Sequence, residues 1–98
     1  MQAVYVVVRA RAKSGQETRL REMLQGLVPL SRREIGCISY DLHESQEEPG
    51  EFLIYAIWSS TTALDAHYKK FYLVEAFKSV PDLLQGMPEI TRWTRLTF

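Results

Sequence analysis

Two segments decide the fold of this chain: CISYDLHE (residues 37–44) and EFLIYAIW (residues 51–58). In the first, apolar and polar residues alternate, with Ile38, Tyr40 and Leu42 on one face, which predicts a half-buried strand. In the second, both alternating sets are apolar, which predicts a strand covered on both faces. A Pro-Gly pair between them favours a turn. The second segment therefore fits the centre of a sheet, and the first fits an edge.

Upstream of these strands, the sequence predicts another strand and a helix. Residues 3–12 contain a β-branched and aromatic run typical of a strand covered on both faces. Ser14-Gly15-Gln16-Glu17 has the form of a capping box, so we expect a helix to begin there. Pro29 is expected to kink that helix, and a positive φ at Gly36 to end it. Its apolar stripe comprises Leu20, Met23, Leu24, Leu27, Val28 and Ser31.

Downstream of Trp58 the pattern changes from strand to helix. Serines and threonines at 59–62 can cap a helix. One face of that helix is formed by Leu64, His67, Tyr68 and Phe71. We expect the helical region to continue to Pro81, with a short turn of helix at 82–85 and a last alternating strand at 89–98.

The predicted order of elements is strand, helix, strand, strand, helix, strand. This is the order of an α+β ferredoxin-like βαββαβ sandwich with a four-stranded antiparallel sheet. Right-handed crossovers place strands one and three at its centre. Two helices can cover only one face of the sheet, so an apolar set of strand-one side chains is left facing water. That set is either Val4, Val6 and Val8 or Tyr5 and Val7. We therefore expect an obligate homodimer with the sheets packed face to face.

Composition and charge exclude several classes of protein. Twelve Lys and Arg residues balance twelve Asp and Glu residues, so no basic face for nucleic acid is expected. Cys37 is the only cysteine, which excludes an intrachain disulfide and a zinc cluster and fits a cytoplasmic protein. No apolar run approaches the roughly 20 residues that span a bilayer, so no membrane partner is expected. At 98 residues, the chain is expected to form one domain, residues 1–98.

Three motifs together resemble the antibiotic biosynthesis monooxygenase (ABM) family. They are the segment from Gly36 to His43, the strand ending at Trp58, and Ala63-Leu64-Asp65-Ala66-His67. Family members read roughly as a GC-x-x-Y-x-L strand, a strand ending in Trp, and a helix with A-L-x-x-H. The resemblance covers nearly the whole chain and implies a dimeric α/β barrel with a small pocket between sheet and helices. Known members include cofactor-free oxygenases of aromatic polyketides and quinols, haem-degrading oxygenases and an isomerase.

The chain departs from the family pattern at two points. Many members carry Glu two residues before the strand-three Trp, where this chain has Ala56. Haem-degrading members depend on an Asn in strand one and a His in the second helical region. This sequence contains no Asn, and residues 71–80 contain no His. Haem degradation is therefore not expected, and the absence of a Gly-rich phosphate loop argues against a nucleotide, so no cofactor is predicted.

His67 is the strongest candidate catalytic residue, because it shares the helix face that meets the sheet and imidazole titrates near neutral pH. The alternative is a buried core histidine without a catalytic role. Aromatic side chains are expected to line a substrate pocket beside it, although aromatics at helical spacing also occur simply in cores. These are Tyr40, Trp58, Tyr68, Phe71, Tyr72 and Phe77. His43 and His67 are too far apart in sequence for a common metal motif, so no metal site is predicted.

The family resemblance and the aromatic-rich second half favour a homodimer that binds a small aromatic or quinone-like molecule and oxygenates it without a bound cofactor. In this interpretation His67 is the base. Two alternatives stay open: an isomerase of a small oxygenated metabolite that uses the same base, and a non-catalytic ligand-binding or stress-response dimer. The last is favoured mildly by Ala56 and by the lack of a second convergent acid–base residue in the sequence.

Overall fold

The computed structural model describes residues 2–98. Within that range the elements are β1 Val4–Arg11, α1 Glu17–Arg32, β2 Cys37–Glu44, β3 Glu51–Trp58, α2 Thr61–Tyr68, α3 Phe71–Lys78, α4 Val80–Leu83 and β4 Glu89–Trp93. The strands form an antiparallel sheet in the order β2-β3-β1-β4. This is the predicted α+β ferredoxin-like arrangement, with β1 and β3 at the centre. No helix in the described part of the chain is both long and apolar enough to cross a membrane.

The helices cover one face of the sheet, called here the inner face. Alternating side chains of the two central strands point into the core beneath the helices, and α1 contributes the stripe that the sequence predicts. On β1 and β3 these buried residues are Val6, Ala10, Phe52, Ile54, Ala56 and Trp58. They cluster with Leu20, Leu24 and Leu27 of α1, Leu64 of α2 and Leu73 of α3. The inner face therefore holds the hydrophobic core.

The opposite face of the sheet, called here the outer face, carries the apolar side chains Tyr5, Val7, Leu53, Tyr55, Ile57 and Trp93, and at one end the paired charges of Arg9, Arg11 and Glu51. Of the two sets of β1 side chains considered above, Tyr5 and Val7 thus point away from the helices. Tyr5 stacks on Tyr55, with ring centroids 6.5 Å apart. Tyr55 is 40% exposed and Trp93 59% exposed. An apolar surface therefore lies on the side of the sheet that this chain's own helices leave uncovered.

A β-bulge at the start of β2 changes the alternation that the sequence predicts. The pairing passes from Cys37 opposite Trp58 to Ser39 opposite Ile57, so Ile38 is the extra residue. Ile38 is consequently 59% exposed and does not share the inward face of Tyr40, whereas Cys37 packs against the core. The expected place of Ile38 on the buried face is wrong because one inserted residue shifts the phase of a period-two pattern.

The predicted capping box at the start of α1 is also wrong. The helix begins at Glu17, and its N-cap, Gln16, makes no capping hydrogen bond with its side chain. The Glu17 carboxylate instead accepts a hydrogen bond from the backbone N–H of Gly15, at 3.1 Å. The helix then runs through Pro29 to Arg32. Of the predicted capping box, only the Glu17 side chain therefore makes a hydrogen bond at the start of the helix.

In the second half of the chain, three boundaries of helices and strands differ from the prediction. The helical region divides at residues 69–70, so Phe71 begins α3 and does not extend the face of α2. The short helix α4 starts at Val80, ahead of Pro81, because proline is tolerated in a first helical turn. The last strand ends at Trp93 and not at Phe98. Its partner β1 begins at Val4, so little chain remains there for pairing.

Candidate active site

His67 lies in the last turn of α2, over the end of β3. The helix begins as the sequence predicts, since Ser60 Oγ accepts a hydrogen bond from the N–H of Ala63 at 3.1 Å. The imidazole ring packs on Trp58, with centroids 4.4 Å apart and planes inclined by 36°. Tyr68 and Tyr40 complete the surroundings, with centroids 5.3 and 5.9 Å from the imidazole. Three aromatic rings therefore fix the orientation of this histidine.

Glu34, in the connection between α1 and β2, binds Nδ1 of this imidazole. His67 Nδ1 and Glu34 Oε2 are 2.7 Å apart, and the two side chains are only 4% and 8% exposed. A carboxylate can only accept a hydrogen bond, so Nδ1 carries the proton and Nε2 keeps its lone pair. Among residues 2–98, Nε2 makes no hydrogen bond, and it is not among the fully enclosed polar atoms. This tautomer is the one that a general base requires.

A third polar side chain, Tyr72 of α3, converges on the same carboxylate. Its hydroxyl donates a hydrogen bond to Glu34 Oε2, the oxygen that also accepts from His67. Burial, and then this hydrogen bond, raise the pKa of Tyr72, so the phenol is a neutral donor at physiological pH. The sequence predicts Tyr72 in the pocket wall. The structure places it behind His67, on the side of Glu34.

The hydroxyl of Ser31 lies beside this cluster. Ser31 is fully buried, and its Oγ has no hydrogen-bond partner of ordinary geometry among the described residues. Burial raises the pKa of Tyr40 to about 12, and the nearby Ser31 hydroxyl opposes that shift for Tyr40 and Tyr72 alike. Both phenols therefore stay protonated around the pair formed by Glu34 and His67.

A cavity of about 80 Å³ lies between the sheet and the helices, and His67 is part of its wall. The remaining lining is almost wholly apolar. Of the aromatic side chains expected there, Tyr40, Trp58, Tyr68 and Phe77 line the cavity. Tyr72 does not, and neither does Phe71, which is 78% exposed at the start of α3. Both residues belong to α3, which begins at Phe71 after α2 has ended at Tyr68.

Ala56 also lies on this wall. The carboxylate that many family members carry at that position is absent, and the carboxylate next to His67 comes from Glu34 instead. In the described part of the chain no three His, Cys, Asp or Glu side chains group as a metal site would require. The titratable imidazole on the cavity wall is that of His67, with the Glu34 carboxylate bound to it.

Sequence reasoning missed Glu34, which is 33 residues from His67 in the chain. A close approach explains how the two meet: a Cβ on Gly36 would lie 2.2 Å from the Cβ of Ala63, one turn before His67. The Gly36 carbonyl also accepts a hydrogen bond from the N–H of Ser59, at 2.8 Å. The predicted positive φ at Gly36 is wrong, because this glycine provides space and not a left-handed turn.

Comparisons with known proteins agree with this fold. A family model described as antibiotic biosynthesis monooxygenase matches residues 3–80. The uncharacterized Synechocystis protein sll1783 is 32% identical over 87 residues, which are 89% of this chain, and this chain spans only 59% of that protein's length. The Mycobacterium tuberculosis protein named "Putative monooxygenase Rv0793" is 36% identical over 88 residues, covering 90% of this chain and 86% of that protein.

Solved structures show the same architecture. The crystal structure of PA3566 from Pseudomonas aeruginosa superposes with a TM-score of 0.94 at 27% identity, covering 99% of this chain and 97% of that one. The structure of the Mycobacterium tuberculosis protein gives 0.91 at 29% identity, covering 98% and 97%. The family match extends over most of the chain, including the strands and helices that hold His67. This chain belongs to the antibiotic biosynthesis monooxygenase family.

Proposed function

We propose that this protein is a monooxygenase that acts on a small aromatic or quinol-like molecule without a bound cofactor, with His67 as the general base. The observation that supports this most directly is the buried pair of His67 and Glu34 at the wall of an apolar cavity. A core histidine without a role needs no second ionisable group, and burying one is costly. A general base gains from a buried carboxylate beside it, because the carboxylate stabilises the protonated imidazole.

The chemistry needs only the substrate, O₂ and the base. His67 Nε2 takes the proton of a quinol hydroxyl, and Glu34 stabilises the imidazolium through Nδ1–H. The resulting anion is electron-rich enough to reduce O₂: a ring carbon bonds to one oxygen atom, and the peroxide takes the proton back from His67. The O–O bond then breaks as water leaves with the hydrogen of that ring carbon. The net change is quinol plus O₂ to hydroxyquinone plus water: the substrate supplies all four electrons. The apolar walls, including Trp58 and Phe77, exclude bulk water from the reacting anion.

Oxygen uptake with a naphthoquinol tests this proposal. We expect His67→Ala to abolish enzyme-dependent O₂ consumption while its circular dichroism spectrum remains that of the folded wild-type protein. His43→Ala is the matched control, because His43 is exposed on β2 and, within residues 2–98, its side chain bonds only to the carbonyl of Leu53, at 3.3 Å. With ¹⁸O₂, one labelled atom is expected in the product. Unchanged turnover in His67→Ala would remove His67 from the mechanism.

The same measurements separate the two alternative functions. An isomerase would convert an oxygenated metabolite without consuming O₂, and its activity would also depend on His67. A non-catalytic binding protein would bind a quinone, seen as quenching of Trp58 fluorescence, without turnover across the substrate panel. The non-catalytic alternative is favoured by the lack of a second acid–base residue near His67 in the sequence. Glu34 and Tyr72 weaken that alternative, because the fold brings both of them to His67.

We also propose that the working unit is a cytoplasmic homodimer, the outer faces of two copies packing together. The support for this is the row of half-exposed apolar side chains on the outer face, with Tyr55 and Trp93 the most exposed of them. Two such faces would bury each other as the halves of a β-sandwich do. The single cysteine fits a reducing compartment.

A further inference from the structure

We propose that Tyr72 is a positioning residue for this reaction: its hydroxyl holds part of the charge of Glu34 and thereby keeps His67 neutral and ready to accept a proton. This inference rests on the proposed role of His67 as the base. Tyr72 does not line the cavity and so acts only through Glu34.

The geometry makes one carboxylate oxygen a shared acceptor. Glu34 Oε2 accepts from both His67 Nδ1 and the Tyr72 hydroxyl, and no other hydrogen bond to the Glu34 carboxylate is found among residues 2–98. The two donors come from different helices, His67 from α2 and Tyr72 from α3. The side chains of Glu34 and His67 are more than nine-tenths buried, so water screens their interaction little.

The shared acceptor decides which charge state His67 adopts before catalysis. A buried carboxylate attracts a proton onto a neighbouring imidazole, which would leave an imidazolium that cannot act as a base. A hydrogen bond from a neutral phenol stabilises the carboxylate and weakens that attraction. Glu34 thus holds Nδ1–H in place, while Tyr72 limits how strongly the pair of side chains binds an additional proton.

The other titratable groups around the pair are neutral at physiological pH or point elsewhere. Burial raises the pKa of Tyr40 on β2, of Tyr68 on α2 and of Cys37, so none of them carries charge. From β4, Arg92 approaches the Tyr68 phenol and contacts Asp65 at 3.4 Å. At the surface beside Cys37, Arg32 and Asp41 pair at 2.9 Å. On α1, Ser31 adds an uncharged hydroxyl.

The experiment follows the two histidines of this 98-residue chain by NMR across pH, with His43 as the internal reference and a His43→Gln variant for assignment. In Tyr72→Phe we expect the titration midpoint of His67 to move to higher pH by about one unit, because a hydrogen bond to a charged group is lost. The acid limb of kcat/KM for quinol oxidation should move by the same amount. In Glu34→Gln the midpoint should move to lower pH.

Tyr55→Phe is the matched control, since it removes one phenol hydroxyl from the outer face and should leave the His67 titration unchanged. A His67 midpoint that stays in place or moves to lower pH in Tyr72→Phe would overturn the role of Tyr72. If Tyr72→Phe fails to fold, the Glu34→Gln shift in the direction stated supports the coupling, and no shift there overturns it. NMR titration needs no turnover, so a protein that consumes no O₂ but shows these shifts contradicts only the proposed reaction.

Discussion

The two faces of the sheet are built from alternate residues of the same strands, yet they differ in how far their side chains are buried. The inner face buries Trp58 under the helices and supports the catalytic candidate His67. The outer face leaves Trp93 and Tyr55 in contact with solvent. Both faces of β1 and β3 carry apolar side chains, but the outer face also carries Arg9, Arg11 and Glu51. The inner set is buried because this chain's own helices lie on that side of the sheet.

The largest expected difference between the faces is seen when each loses its tryptophan. Trp58→Ala should lower the free energy of unfolding by about 3–5 kcal/mol at any protein concentration, because a buried ring is replaced by a cavity. Trp93→Ala should act mainly through association, so its cost in urea denaturation should grow with protein concentration. A concentration-independent cost of the same size for Trp93→Ala would make the outer face part of the subunit core.

A charge on the outer face tests its role as an interface. Tyr55→Arg places one added charge from each copy into the proposed contact, and we expect the dimer dissociation constant in sedimentation equilibrium to rise roughly 100-fold or more. Leu30→Arg is the matched control, because Leu30 has similar exposure, 38% against 40%, but lies on α1. A wild-type protein that sediments as a monomer at micromolar concentration would contradict the homodimer.

On the inner face, the contact that brings Glu34 to His67 can be broken at Gly36. Gly36→Ala would force a Cβ to 2.2 Å from that of Ala63, and we expect a loss of about 1–3 kcal/mol together with reduced O₂ uptake. Gly36→Ala combined with Ala63→Gly should recover much of both, because the overlap is removed. If the double variant is no better than Gly36→Ala alone, the close approach is not what places the site.

The smallest expected effect lies at the rim between the faces, where Arg21 of α1 binds Glu44 of β2 at 2.8 Å. The hydrogen bond from Arg21, and then one from the Gly50 N–H, lower the pKa of Glu44 from 4.5 to about 2. A carboxylate with a depressed pKa in the folded state stabilises the protein above pH 4.5 and loses that contribution as pH falls toward 2.

The measurement is the urea midpoint of wild type and Glu44→Gln at several pH values. Glu44→Gln should be slightly less stable at pH 7, and the difference should disappear near pH 2. Because the pair is solvent-accessible, the difference at pH 7 is expected to be small. A difference that persists at pH 2 would mean that Glu44 acts through packing and not through its charge.

Several residues of the candidate site could be named from the sequence, but the hydrogen bonds that connect them could not. His67, Trp58 and Tyr40 stand in motifs with regular spacing, and all of them reach the cavity. Glu34 stands in a connection without a pattern of its own, after two arginines. Tyr72 looks like one more aromatic on a helical stripe, and only the break of the helical region at residues 69–70 turns it toward Glu34.

The sequence by itself determined the order of elements, the central position of β1 and β3, and the α+β fold, because strand and helix periodicities depend on neighbours along the chain. The tertiary structure decided the phase of β2 at the Ile38 bulge, which set of β1 side chains faces the helices, and the assembly of His67, Glu34 and Tyr72. These depend on distances between segments far apart in sequence, such as the approach of Gly36 to Ala63, and no local pattern records such a distance.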